Sequence, residues 1–114
     1  MIIKIKRIYE DFSELDGYRI LIDKLWPRGI SKENAKVDLW IKEIAPSNDL
    51  RKWYRDNPEK REQFQKKYLL EIKNSSLLTE IKKTVHEQKT ITLLSASKDP
   101  KPTHAMILQQ KLEE

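Results

Sequence analysis

Two short segments hold most of the side chains that could do chemistry. The first, DKLWPRGISKE (residues 23–33), sets Asp23, Lys24, Trp26, Arg28 and Gly29 directly behind the apolar run YRILI. The second, SASKDPKPTHA (residues 95–105), supplies Ser95, Ser97, Lys98, Asp99, Thr103 and His104. Arg28 offers a planar fork of donors suited to a carboxylate or phosphate. A helix starting at Thr103 and His104 would add unpaired N–H groups and the positive end of its dipole. Arg28, Lys98 and Thr103 thus have the makings of a small-anion site, with Trp26 as an apolar wall for a planar ligand and Asp99 or Asp23 to orient it.

Within that site Asp23 and His104 are the candidate catalytic residues. At the positive end of a helix, beside Arg28 and Lys98, the imidazole is expected to be neutral at pH 7 and therefore able to take up a proton. The competing reading is structural: Asp23 pairs with Arg28 or Lys98 only to fix one loop against the other. Other chemistries are excluded or poorly supplied. The chain has no cysteine, hence no thiolate nucleophile, disulfide or Cys-based zinc site, and its two glycines cannot make a Walker-type or dinucleotide fingerprint. His104 and Asp99 alone are too few ligands for a metal. No metal is expected, and the cofactor stays unassigned.

The elements that must position these segments follow from hydrophobic spacing. Residues 2–9 are short and β-branched, and GYRILIDKLW follows the punctuating Gly17, so both read as strands. The link EDFSELD between them is too short for a helical crossover. The two strands are therefore expected to be antiparallel neighbours or joined by a tight link, which argues against an all-parallel sheet. Ser31 is placed to cap a short helix with Glu33 in its first turn. VDLWIKEI fits either an alternating strand or a helical face, and Pro46 ends it early enough to favour the strand. Ser47 or Asn48 caps a helix in which Leu50, Trp53 and Tyr54 share a face.

Asn57 and Pro58 read as the start of the next helix, with Phe64, Tyr68, Leu69 and Ile72 inward. A further helix runs from the serines at 75 and 76 with Leu77, Leu78, Ile81 and Val85 inward. TITLLSAS is expected to be the central strand, and Thr103 to cap a last helix that packs back through Ala105, Met106 and Leu108 or Leu112. The order strand, strand, helices, strand, helix gives a single α/β domain over residues 1–114, a small sheet flanked by helices as a three-layer sandwich. In such sheets ligands bind outside the carboxyl ends of the strands. If the strands run the same way, the two chemical segments converge there.

Three of these stretches, GYRILIDKLWPRGISKE, LWIKEIAPSNDLRKWY and TLLSASKDPKPTHAMIL, resemble the YeaO-like family of bacterial proteins, a domain of unknown function, over nearly the whole chain. The resemblance implies a small cytoplasmic bacterial α/β protein and brings no established activity. Longer relatives often place Cys-His at the start of the last helix. Here that turn reads DPKPTHA, so only the histidine is shared.

The 23 basic and 18 acidic residues give a net charge of +5, a bias toward polyanions. Because Lys and Arg are interleaved with Asp and Glu, nucleic-acid binding is expected to be weak and nonspecific. The N-terminus lacks a signal-peptide core and no stretch is long enough to span a bilayer, so a cytoplasmic protein without a membrane partner is expected. Two functions from different classes follow. One is a cleft for a phosphate metabolite or nucleotide, binding or catalytic. The other is a weak nucleic-acid module using the basic N-terminal strand and helices, or an interaction protein without chemistry. Basic groups gathered in one cleft favour the first, and a broad basic face favours the second.

Overall fold

The run TITLLS is apolar toward both sides, and a strand with that pattern belongs in the middle of a sheet covered on both faces. In a computed structural model, which describes residues 2–97 and 103–114, it forms β4 (Thr90–Ser95), buried from Ile91 onward. The preceding elements are β1 (Ile2–Arg7), β2 (Tyr18–Leu21), α1 (Lys32–Ala35), β3 (Leu39–Trp40), α2 (Asn48–Asp56), α3 (Arg61–Ile72) and α4 (Ser76–Gln88), and α5 (Thr103–Glu113) follows. The sheet order is β1-β4-β2-β3, and every pairing is parallel.

The α/β class and the central place of β4 agree with the sequence reading, but the expected relation of the first two strands does not. β1 and β2 are neither antiparallel nor adjacent; they flank β4. Their connection, residues 8–17, is ten residues long. An extended chain of that length reaches roughly 33 Å, more than the roughly 20 Å needed to run back along a six-residue strand. The return therefore needs no helix.

What holds this link is polar and internal. Lys4 Nζ donates to the Leu15 carbonyl at 2.8 Å, Lys6 Nζ to the Asp11 carbonyl at 2.8 Å and to both Asp16 carboxylate oxygens at 3.1 Å. Thr92 Oγ1 donates to the Asp16 carbonyl at 2.7 Å. The buried guanidinium of Arg19 donates to the Asp16 carboxylate and to the carbonyls of Lys36 and Ala35. Its outer side lies over the Phe12 ring, 5.2 Å from the centroid. Burial works against ionisation of Asp16, but Lys6, the Ser13 N–H and Arg19 outweigh it and hold the carboxyl below its ordinary range. The basic residues of the first strand thus serve the fold itself.

Gly17 closes the link at φ 66°. A Cβ there would come within 2.3 Å of the Thr90 carbonyl oxygen, so no other residue fits.

The two faces of the sheet are covered unequally. Ile3, Ile20, Ile22, Ile91 and Leu93 face the main core with Leu50, Phe64, Tyr68, Ile72, Ile81, Val85 and Leu108 of α2 to α5. On the other face Ile8, Leu21 and Leu94 pack against Ala35, Trp26, Val37 and Trp40, a layer made of α1 and loops. Trp26 and Trp40 meet edge to face at 5.6 Å. VDLWIKEI supplies a two-residue strand and then a 3-10 turn at Lys42–Ile44. Tyr68 fixes that turn through a 2.6 Å bond from its hydroxyl to the Ile44 carbonyl.

Ser31, Ser47 and Ser75 cap α1, α2 and α4 through their hydroxyls. Asn57 does not start α3. It ends α2, its amide donating to the Trp53 carbonyl at 2.8 Å, and Pro58 lies in the turn before Arg61. A side chain that bonds backward closes a helix rather than opening one. α5 is described from Thr103, and the cap expected of the Thr103 side chain lies outside the described residues. Among the described residues no helix is long and apolar enough to cross a membrane.

Replacing Asp16 by alanine leaves Arg19 buried without a counter-charge, and should cost about 3–5 kcal/mol in chemical denaturation. The double change Asp16→Leu with Arg19→Met removes both charges and should recover part of that loss, since the Ala35 and Lys36 carbonyls lose the Arg19 donors. An Asp16→Ala protein with a wild-type midpoint would show that other contacts hold the link.

Candidate functional site

Because all four strands run the same way, the carboxyl ends of β2 and β4 open on one rim. Asp23 stands two residues beyond β2 and turns its carboxylate toward the end of β4. Its Oδ2 accepts the Ala96 N–H at 2.7 Å and its Oδ1 accepts the Ser95 hydroxyl at 2.8 Å. From α5, His104 Nε2 lies 3.2 Å from the same Oδ1. That is within ion-pair distance, yet Nε2 is buried without an aligned hydrogen bond. The Asp23 carbonyl accepts the indole N–H of Trp40 at 2.7 Å. One residue therefore ties together the ends of β2, β3 and β4 and the first turn of α5.

Burial raises the pKa of the Asp23 carboxyl. The His104 imidazole, the Ala96 N–H and the Ser95 hydroxyl act against this and prevail, holding it below the ordinary carboxylate range.

Around this tie lies a cleft of about 570 Å³. Asp23, Trp26, Arg28 and His104, named from the sequence, all line it. Lys98 and Asp99 lie outside the described residues, as does the side chain of Thr103. Among the described residues Asp23 has no ion pair with Arg28, and its ionic neighbour is His104; the expected alternative of a pair with Lys98 lies outside the described residues. Trp26 has its indole N–H bound to the Ile30 carbonyl at 2.8 Å, which leaves its ring as the surface it offers. Gly29, at φ 78°, lets the loop turn back, and the Tyr9 hydroxyl anchors it through the Arg28 carbonyl at 2.7 Å.

Sequence reasoning missed a second wall. Arg51, Tyr54 and Arg55 of α2 and Phe64 of α3 also line the cleft. The signal was present: RKWYR sets Arg51, Tyr54 and Arg55 at i, i+3 and i+4, one face of a helix. It was hidden because Tyr54 also fits the apolar face with Leu50 and Trp53. Tyr54 stacks on Phe64 at 4.3 Å, Phe64 on Tyr68 at 6.2 Å, and Tyr68 meets His104 edge-on at 6.2 Å. An aromatic row thus runs from the cleft wall to the imidazole.

Among the described residues Lys24, Arg28, Arg51 and Arg55 face the cleft with Asp23 as its one carboxylate, four positive charges against one negative. Lys24 bonds to Asn48 Oδ1 at 3.0 Å. Arg28, Arg51 and Arg55 have no ion-pair partner among the described residues. No group of three or more His, Cys, Asp or Glu among the described residues is arranged to hold a metal ion.

Comparison with known proteins places the chain in a family. Residues 2–114 match the family DUF488-N3i, described as the inactive DUF488-N3 subclade, and the chain belongs to it. The chain is 37% identical over 108 residues to the uncharacterized protein YeaO of Escherichia coli, covering 95% of this chain and 94% of that one. It is 36% identical over 110 residues to uncharacterized proteins of Mycobacterium tuberculosis and Mycobacterium bovis, covering 96% of this chain and 92% of each. No solved structure matches it.

The depressed pKa of Asp23 sets a pH dependence. Its stabilising contribution is fully present above the unfolded value of about 3.9 and is lost as pH falls through the lower folded value. Asp23→Asn should therefore lower stability by about 1–3 kcal/mol at neutral pH, with the gap to wild type closing in acid. Denaturant midpoints from pH 7 down to pH 2 check this, and a gap that stays constant would show that the charge of Asp23 does not hold the rim.

Proposed function

We propose that the cleft binds a small phosphate-bearing anion and holds it without turning it over. The observation that carries the reading is the set Arg28, Arg51 and Arg55, three guanidinium groups without ion-pair partners among the described residues around one cleft. Exposed cations lose little by taking a ligand, and planar forks match phosphate oxygens in pairs. Gathering in a cleft, rather than along a broad face, favours a small ligand over a nucleic-acid strand. The use of Lys4 and Lys6 inside the fold also removes two cations from the basic strand that a nucleic-acid module would use.

Binding without catalysis is favoured by the order of groups around Asp23. A Ser-His-Asp triad needs the imidazole between hydroxyl and carboxylate. Here Ser95 donates straight to Asp23, and His104 meets the same carboxylate oxygen. The family's description as an inactive subclade supports the same conclusion. On this reading Asp23 and His104 position the rim, and the arginines make the contact.

Calorimetric titration with inorganic phosphate and pyrophosphate should show binding that weakens with added salt. Arg51→Ala with Arg55→Ala should lower affinity by about tenfold or more, whereas His104→Ala should lower the melting temperature while the protein still binds. Absence of binding by the wild-type protein would sink the reading, and a large loss of affinity in His104→Ala would return that residue to the ligand. Turnover of a phosphate ester that His104→Ala abolishes would overturn the non-catalytic part.

A further inference from the structure

We infer that the anion held in this cleft is the phosphate of a nucleoside monophosphate, a planar ring and a phosphate on one small molecule. This rests on the anion-binding reading and adds the ring. Phosphate alone does not account for what lines the cleft, because Trp26 reaches it from the loop after β2 and Tyr54 from α2, between Arg51 and Arg55 on the same helical face. Both aromatic residues are half-buried. Trp26 is backed by Trp40 and Tyr54 by Phe64, so each ring is held in place before a ligand arrives, and stacking on it costs little ordering.

The polar atoms fit the same ligand. The indole N–H of Trp26 is already satisfied, which leaves a π-surface rather than a donor. The Tyr54 hydroxyl has no hydrogen-bond partner among the described residues and is free to bond a polar atom of the base. Asp23 Oδ2 accepts one N–H, from Ala96, and as a carboxylate oxygen it has room for a second donor. A base edge bearing an amino group could supply it. A volume of about 570 Å³ is in the range of sites that enclose small organic ligands, roughly 300–1,000 Å³, and far exceeds the need of a lone phosphate.

The experiment compares ligands that carry the two halves separately. The wild-type protein is titrated with ribose 5-phosphate, with adenosine, and with adenosine and uridine 5′-monophosphates. At least one mononucleotide should bind about tenfold or more tighter than ribose 5-phosphate, the increment expected of base–aromatic stacking, and adenosine should bind far more weakly. Tyr54→Leu keeps an apolar partner for Phe64, and should bring the mononucleotide down to the affinity of ribose 5-phosphate while leaving ribose 5-phosphate unchanged. Trp26→Leu, checked for an intact melting transition, should act in the same direction. Ribose 5-phosphate binding as tightly as both mononucleotides would overturn the ring while sparing the anion site. No binding of any phosphate would overturn both, and equal loss of both ligand types in Tyr54→Leu would show that Tyr54 serves the phosphate.

Discussion

The carboxylate of Asp23 is the contact on which the site depends. A parallel sheet delivers its strand ends to one rim, but loops leaving that rim have no intrinsic reason to stay together. Here one charged group accepts from the backbone and side chain at the end of β4, meets the imidazole of α5 and, through its own carbonyl, secures the Trp40 indole of β3. Charge-assisted bonds are the stronger class, and an oxygen cluster of this kind tolerates little displacement. The cleft is what remains between this rim and α2.

On the proposed reading, two ionic systems divide the chain's positive charge between stability and recognition. At one end Lys4, Lys6 and Arg19 converge on the link between β1 and β2, where Asp16 and backbone carbonyls absorb their donors. At the other, Arg28, Arg51 and Arg55 gather without counter-ions among the described residues. The same residue types have opposite roles because their surroundings differ. Net charge alone would have assigned both sets to attraction for polyanions.

That division explains how far the sequence could be read. β4 was legible because an uninterrupted apolar run has few other uses, and the serine caps were legible because capping is local. Strand direction was not, since it turns on whether ten residues can run back beside the sheet, and on long-range bonds from Lys4, Lys6 and Thr92 that leave no local pattern. Asn57 failed for a related reason: an asparagine before a proline suits the end of one helix as well as the start of another. The loop carrying Asp23, Trp26 and Arg28 stood out because polarity after a buried strand is unusual. The α2 wall did not, because Tyr54 serves core and cleft together and its flanking arginines resemble an ordinary solvated face.

On the proposed reading Asp23 assembles a cleft whose arginines receive a ligand. Backbone amide chemical shifts followed during titration with a mononucleotide test it most directly. The largest changes should cluster at Arg28, Arg51, Tyr54 and Arg55, with Ala96 and His104 moving as the rim responds. Changes scattered over the lysines of α3 and α4, or centred on Ser47 and Glu71 on the far side of Pro46, would contradict it.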